Sequence, residues 1–324
     1  MTPECLTKRL QEIIEEKLPV PGRGYTSFRH RRLMETGREN LSLARLAEAH
    51  WDAVAILVEA GRKPKPGALY GVWAAEIPNQ PLRLEYSGTG SRINGSKMFC
   101  SGAGLVDRAL VTLGLPEQQL VDIDLRQHAD KISFDDSGWK TTAFKETRTA
   151  TCIFSDIPVT GADIIGEAGW YLNRAGFWHG ACGPAACWAG GAAGLVDYAM
   201  QQRRKDAHTL AHLGAMHAAL WSMQAALDAA GHEIDEAPDD AQTARIRART
   251  VRHLVEQAST DILRRMTRAF GPYPLAMDEE ISRRCQELDL YLRQCHAERD
   301  LEVLGQDLRD CATQIAASTS PLYS

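Results

Sequence analysis

Within the run Tyr291 to Glu302, the candidates for moving a proton are His296, Glu298 and Glu302. An unperturbed imidazole titrates near neutrality, and a carboxylate within hydrogen-bond reach of a substrate proton can act as a general base. Glu298 and Glu302 stand four residues apart, so a helix places both on one face. The same run also reads as an exposed helix whose acids and bases pair at i, i+4. Neither Gly nor Pro interrupts it before Gly305. His208 and His212 form a second i, i+4 pair, with His217 following, and such spacing can hold zinc on one helix face. No Glu follows His208 as in metalloprotease helices, and no third ligand is evident, so no metal is expected. The phosphate loop, the Gly-x-Gly-x-x-Gly fingerprint and the Gly-x-Ser-x-Gly elbow are missing, which sets aside phosphoryl transfer, Rossmann-type nicotinamide binding and elbow-type hydrolysis.

The elements that must position these groups fall into three blocks. Leu43, Leu46, Ala47, Trp51, Val54 and Leu57 have near-helical spacing, and Gly61 with Pro64 and Pro66 ends that helix. The middle block is β. Leu82 to Tyr86 alternates apolar and polar, Arg108 to Leu113 is an apolar branched run, and short strands are expected at Leu120–Ile123, Ile132–Phe134 and Thr151–Phe154. Asn94-Gly95 is the strongest hairpin signal here, because a type I′ turn needs positive φ at both central residues. After Pro184 the pattern predicts four long helices, near 185–205, 208–230, 240–269 and 278–309. Helices, then strands, then helices is a segregated α+β order.

The chain has 324 residues and a formal net charge of −5, which argues against a general nucleic-acid binder. The basic runs Arg29 to Arg32 and Arg245 to Arg252 read as solvated helix faces. Eight cysteines show no CxxC and no disulfide spacing. Ala175 to Val196 lacks formal charge but carries six glycines, so it reads as a close-packed bundle helix rather than a membrane span. Met1 to Lys17 has no charged-then-apolar signal pattern, so a cytoplasmic location is expected.

The segment Asn94-Gly95-Ser96-Lys97-Met98-Phe99-Cys100-Ser101-Gly102-Ala103 resembles the Asn-Gly-x-Lys-x-aromatic-x-Ser/Thr signature of the acyl-CoA dehydrogenase superfamily. Its Phe-Cys-Ser-Gly-Ala form is closest to the branch with flavin-dependent monooxygenases. Gly71-Val72-Trp73-Ala74-Ala75-Glu76 is similar to the family strand ending Ile-Thr-Glu, with Ala75 at the Thr position. Ile77-Pro78-Asn79-Gln80-Pro81 replaces the family's Gly-x-Gly-Ser-Asp loop. The resemblance implies a short N-terminal helical domain over 1–66, a β-barrel-like domain over 67–163 and a helical bundle over 164–324. It implies a flavin, FAD or the shorter FMN. Phe99, Ser101, Trp73, Ala75 and Thr149 would lie toward its ring. Arg204 stands where the family grips the pyrophosphate, and Arg268 near the adenine turn, both in degraded motifs.

By spacing from Arg293, Glu302 falls nearest the family's catalytic Glu, with Glu298 and His296 beside it. Three readings follow from the resemblance. They are α,β-dehydrogenation of an acyl thioester or related small molecule, oxygenation by reduced flavin, and a degenerate partner or scaffold without flavin. A homo-oligomer, dimer or tetramer, is implied, with the Gly/Ala-rich helix near 185–200 as a packing face. No membrane partner is expected.

Overall fold

The computed structural model describes residues 3–75, 82–87, 90–114 and 118–319. Glu76 and the 77–81 loop lie outside them. Three helices open the chain: α1 (Pro3–Glu15), α2 (Thr26–Glu39) and α3 (Leu41–Glu59). Eight strands follow, β1 (Tyr70–Trp73), β2 (Arg83–Ser87), β3 (Gly90–Cys100), β4 (Arg108–Leu113), β5 (Gln119–Asp124), β6 (Ile132–Asp135), β7 (Ala150–Val159) and β8 (Ile164–Ile165). Short helices α4 (Trp170–Asn173) and α5 (Ala175–Gly180) lead into α6 (Cys182–Gln201), α7 (Ala207–Glu236) and α8 (Ala241–Phe270). Helices α9 (Tyr273–Met277), α10 (Glu279–Leu292) and α11 (Glu298–Thr319) complete the described part.

The strands form two four-stranded sheets, ordered β1-β4-β5-β8 and β2-β3-β7-β6. Pairing is antiparallel except for β1 with β4, so the α+β class holds with one parallel pair. The Lys of the Asn-Gly-x-Lys signature joins the sheets. Lys97 is fully buried on β3, and its Nζ donates to the carbonyl and hydroxyl oxygens of Thr112 on β4, both at 2.8 Å. A buried ammonium needs such acceptors to offset its lost hydration.

Asn94-Gly95 is not a turn. Strand β3 runs straight through it, and the pairing with β7 shifts register between Ile93 and Gly95. Gly95 sits at φ 124°, so the glycine serves a β-bulge. Asn94 pins the bulge by donating to Glu85 and accepting from the Asp156 amide at 2.7 Å. The expected continuous helix 278–309 is also broken, between Leu292 and Glu298, with Ala297 at φ 49°. Asp300, in the first turn of α11, accepts from the His296 amide at 3.0 Å, a cap that starts a new helix without Gly or Pro.

Helix α6 lies inside the chain rather than offering an outer packing face. A Cβ on Gly190 would stand 2.1 Å from the Met34 carbonyl oxygen, and one on Gly37 of α2 would stand 2.4 Å from that of Cys187. These glycines therefore serve a backbone-to-backbone crossing with α2. The basic runs are not simple solvated faces either. Arg29 and His30 are buried, as is Arg247. Burial pushes the His30 imidazole down to about 4, against the pull of its bond to the Leu227 carbonyl. Among the described residues, no helix is long and apolar enough to cross a membrane.

Candidate functional site

A cavity of about 570 Å³ opens where α3, α5, α8 and the start of α11 meet β1. Its walls include Glu48 and Asp52 from α3, Tyr171 from α4, Arg174 between α4 and α5, and Trp178 from α5. Arg249 and Arg252 of α8 complete them, with His296, Arg299 and Asp300 at the break before α11. The two acids are four residues apart, so α3 presents both on one face. Glycines make the room they occupy. A Cβ on Gly183 would stand 2.9 Å from Glu48 Oε1, and one on Gly180 would stand 2.7 Å from Asp52 Oδ1.

Neither carboxylate has a hydrogen-bond or ion-pair partner among the described residues. Both are half-buried and line the cavity. Burial, and then the neighbouring Asp52, pushes Glu48 up to about 8, against the opposing pull of Arg29, Arg45 and Arg252. Asp52 is raised by burial as well, opposed by Arg174 and Arg29. Two close acids in a poorly hydrated site cannot both ionise cheaply, so they titrate as a pair. Near neutrality the pair retains a proton. The groups facing Glu48 from other helices are Arg29, Tyr171, Cys187, Arg252 and Tyr291.

Most of the surrounding cations are already engaged. Arg174 pairs with Glu59 and lies over Tyr171 at 5.2 Å. Arg249 pairs with Asp307 at 2.9 Å and lies over Trp178 at 4.6 Å. Arg252 lies over Trp188 at 4.7 Å and donates only to the Ala181 and Gln294 carbonyls.

The end of the antiparallel β2–β3 pair that carries Phe99 and leads to Ser101, here the hairpin edge, adjoins this cavity through α3. Arg45 stands three residues before Glu48, ~4.5 Å along the helix axis, and its Nε donates to Ser101 Oγ at 2.8 Å. Ser101 Oγ lies 3.0 Å from Thr149 Oγ1, which lies 2.9 Å from Thr147 Oγ1. Thr147 donates to the Phe144 carbonyl at 2.8 Å. Each hydroxyl has one proton, so the direction is fixed: Arg45 to Ser101, Ser101 to Thr149, Thr149 to Thr147, Thr147 to Phe144. Ser101 can therefore offer a ligand only a lone pair. The Trp73 indole is buried and donates to the Ser101 carbonyl at 3.0 Å. Phe99 is 57 % exposed and held at φ 56°, a conformation costly for a large side chain.

Thus Phe99, Ser101, Trp73 and Thr149 gather at one edge, with Ala75 exposed at the end of the β1 segment. Arg204 and Arg268 gather at another place. Arg204 pairs with Asp206 at 2.6 Å and donates to the Ala269 carbonyl, next to exposed Arg268. Of the proton-transfer candidates, His296 lines the cavity, its Nδ1 3.5 Å from Asp300. Glu298 and Glu302 are exposed and do not line it. Glu48 and Asp52 went unnoticed in the sequence because acids at i, i+4 read as a solvated face. The available signal was the facing series Gly176, Gly180 and Gly183, whose spacing matches a helix stripe.

No protein-family model matches the chain, and no curated protein matches it. Solved structures match in fold. Methanesulfinate monooxygenase MsuC from Pseudomonas fluorescens aligns at TM-score 0.74 and 16% identity, over 86% of this chain and 82% of that one. Dibenzothiophene monooxygenase TdsC from Paenibacillus sp. A11-2 aligns at 0.72 and 14%, over 94% and 95%; another TdsC structure contains FMN and indole. Butyryl-CoA dehydrogenase from Megasphaera elsdenii aligns at 0.73 and 14%, over 95% and 98%. At such identities the likeness is one of fold.

Proposed function

On the acyl-CoA dehydrogenase-like fold that this chain has, we propose a flavin-dependent oxidoreductase that oxygenates a small polar substrate, with Glu48 as its proton donor. The observation that carries this reading is the partnerless Glu48–Asp52 pair in a charge-lined cavity. The residues at the hairpin edge fit a flavin. Phe99 is an apolar ring held outward in a strained conformation, and such strain is commonly kept where a ligand is met. Phe99 would wall the ring, Ser101 would meet its polar edge as an acceptor, and Ala75 would address it through the backbone. Arg204 and Arg268 would lie toward the phosphates of FAD, and FMN would leave them less used. When bound, reduced flavin supplies the electrons that split dioxygen, one oxygen atom going to the substrate and the other to water.

Water formation needs protons, and Glu48 holds one near neutrality because its carboxyl is pushed up to about 8. The same protonation makes Glu48 a poor base, which counts against α,β-dehydrogenation of an acyl thioester. The walls join four arginines, Arg174, Arg249, Arg252 and Arg299, to an apolar part from Val72, Phe177 and Trp178, which suits a substrate with one charged and one apolar end. His296, beside Asp300, can relay a proton between the cavity mouth and solvent.

The test is reconstitution with FAD and with FMN, followed by the visible spectrum and rapid mixing of the reduced protein with dioxygen. Substrate-dependent oxygen uptake supports the proposal. Bleaching of the oxidised flavin by butyryl-CoA would replace it with dehydrogenation, and failure to retain either flavin would leave a scaffold.

A further inference from the structure

We propose that the cavity takes a small organic acid, its carboxylate met by Arg252 and Arg299. The inference rests on the cavity being the substrate site named above, but not on the flavin. A charge account of the walls leads to it. Glu59 answers Arg174, while Asp307 is divided between Arg245 and Arg249. Asp300 stands beside His296. Arg252 has no carboxylate partner among the described residues, and two of its five N–H groups go to carbonyl oxygens. Arg299 is exposed, with no side-chain partner among the described residues. Five guanidinium groups, Arg245 included, thus stand against Glu59, Asp307, Asp300 and an acid pair carrying one charge at most near neutrality, which leaves a positive excess without counting His296.

The alternative ligand, an ammonium ion, would want acids and open aromatic faces. The acids are present, but the faces are taken. Arg249 covers Trp178 at 4.6 Å and Arg174 covers Tyr171 at 5.2 Å. An ammonium would also have to displace the proton that Glu48 holds, whereas a carboxylate accepts a hydrogen bond from it. The cavity volume of about 570 Å³ suits a ligand of drug-like size or smaller. Edge-on aromatics at Tyr171, Phe177 and Trp178, with centroids 5.4 and 5.2 Å apart in sequence, leave an apolar side for a planar body.

The experiment compares benzoate, benzyl alcohol and benzylamine on the full-length protein by calorimetry and thermal shift. Benzoate is expected to bind and raise the melting temperature, with benzyl alcohol weaker and benzylamine inert. Arg299→Ala should weaken benzoate by about tenfold, and Arg252→Gln by at least as much, as removal of a charged donor does. Arg252 also holds two carbonyls, so if its variant fails to fold, Arg299→Ala decides alone. Benzylamine binding in preference to benzoate would overturn the inference, as would benzoate affinity unchanged in Arg299→Ala. A protein that binds benzoate but retains no flavin loses the oxidoreductase reading and keeps this one. The reverse pattern loses this one alone.

Discussion

The hairpin edge and the cavity adjoin on the same stretch of α3, yet they treat polar groups in opposite ways. At the edge, the Arg45–Ser101–Thr149–Thr147 chain pairs each hydroxyl and ends on a carbonyl. In the cavity, Glu48 and Asp52 have no hydrogen-bond or ion-pair partner among the described residues, and Gly180 and Gly183 make room for them. Satisfied buried networks hold a fold in one arrangement. Unsatisfied acids weaken it and are kept where a ligand or a proton completes them. The contrast leaves Ser101 and Thr149 inside a completed network, with only a lone pair of Ser101 to offer, and leaves Glu48 open to a ligand or a proton.

The largest expected effect comes from Glu48→Gln. If the carboxyl delivers a proton, turnover should fall on the order of 10²–10⁴-fold, while the fold becomes more stable. The folded carboxyl keeps its proton up to about 8, against 4.5 when unperturbed. Its stability contribution is therefore full below 4.5 and is lost as pH rises through 8. Glutamine removes that loss, so the variant should gain ~1–3 kcal/mol at pH 9, with the gain vanishing near pH 4.5. Thermal melts of both proteins from pH 4.5 to 9 measure it. Parallel curves would mean that Glu48 titrates normally, and the cavity would lose its special standing.

Next in size is Thr149→Val, which keeps shape but interrupts the chain. It leaves the Ser101 proton and a Thr147 lone pair unmatched, at a cost of ~1–3 kcal/mol. Denaturant midpoints with an unchanged slope would record this as lost stability. A neutral result would mean that water or a ligand already completes these groups.

The sequence exposed the fold far better than the site. Alternation pointed to β2, an apolar branched run gave β4 residue by residue because that strand is buried along nearly its whole length, a short strand at 132–134 fell on β6, and helical spacing gave α3. What failed depended on partners distant in sequence. Asn94-Gly95 carries turn chemistry, but β7 pairs along the whole of β3 and turns it into a bulge. The helix break at Ala297 relies on an Asp cap rather than on Gly or Pro. Arg29 and His30 look solvated until α6 and α7 cover them. The Phe-Cys-Ser-Gly-Ala resemblance drew attention to the hairpin, while the acid pair one turn from Arg45 has no local signature at all. Of the three proton-transfer candidates, His296, Glu298 and Glu302, the one at the unforeseen break, His296, lines the cavity.

Gly180→Ala tests the room made for the acids. The added Cβ would meet Asp52 Oδ1 at 2.7 Å and the carboxyl carbon at 3.5 Å. The obstruction is the end of a side chain, so the carboxylate swings away and stability changes by no more than about 1 kcal/mol. With Asp52 displaced, one cause of the Glu48 shift weakens, and Glu48 should titrate at lower pH. Carboxyl titration by NMR on labelled glutamate reads this directly. An unmoved titration would show burial acting alone.

Phe99→Gly has the smallest effect on stability, and it separates the two regions most cleanly. Phe99 sits at φ 56°, where a non-glycine residue is strained, and its ring is 57 % exposed, so removing it forfeits little packing. Glycine adopts this conformation without that strain, which should yield ~0.5–1 kcal/mol of added stability. A residue that destabilises its own fold needs another reason to be there, and the proposal supplies one in the flavin ring. The variant should therefore melt higher than the parent and retain less flavin after gel filtration. The cavity lies on the far side of Arg45 and does not use Phe99, so benzoate binding should be unchanged. Lower stability with flavin retention intact would make Phe99 a packing residue and move the proposed ring site elsewhere. Loss of benzoate binding would mean that edge and cavity act as one site, and the contrast between them would fail.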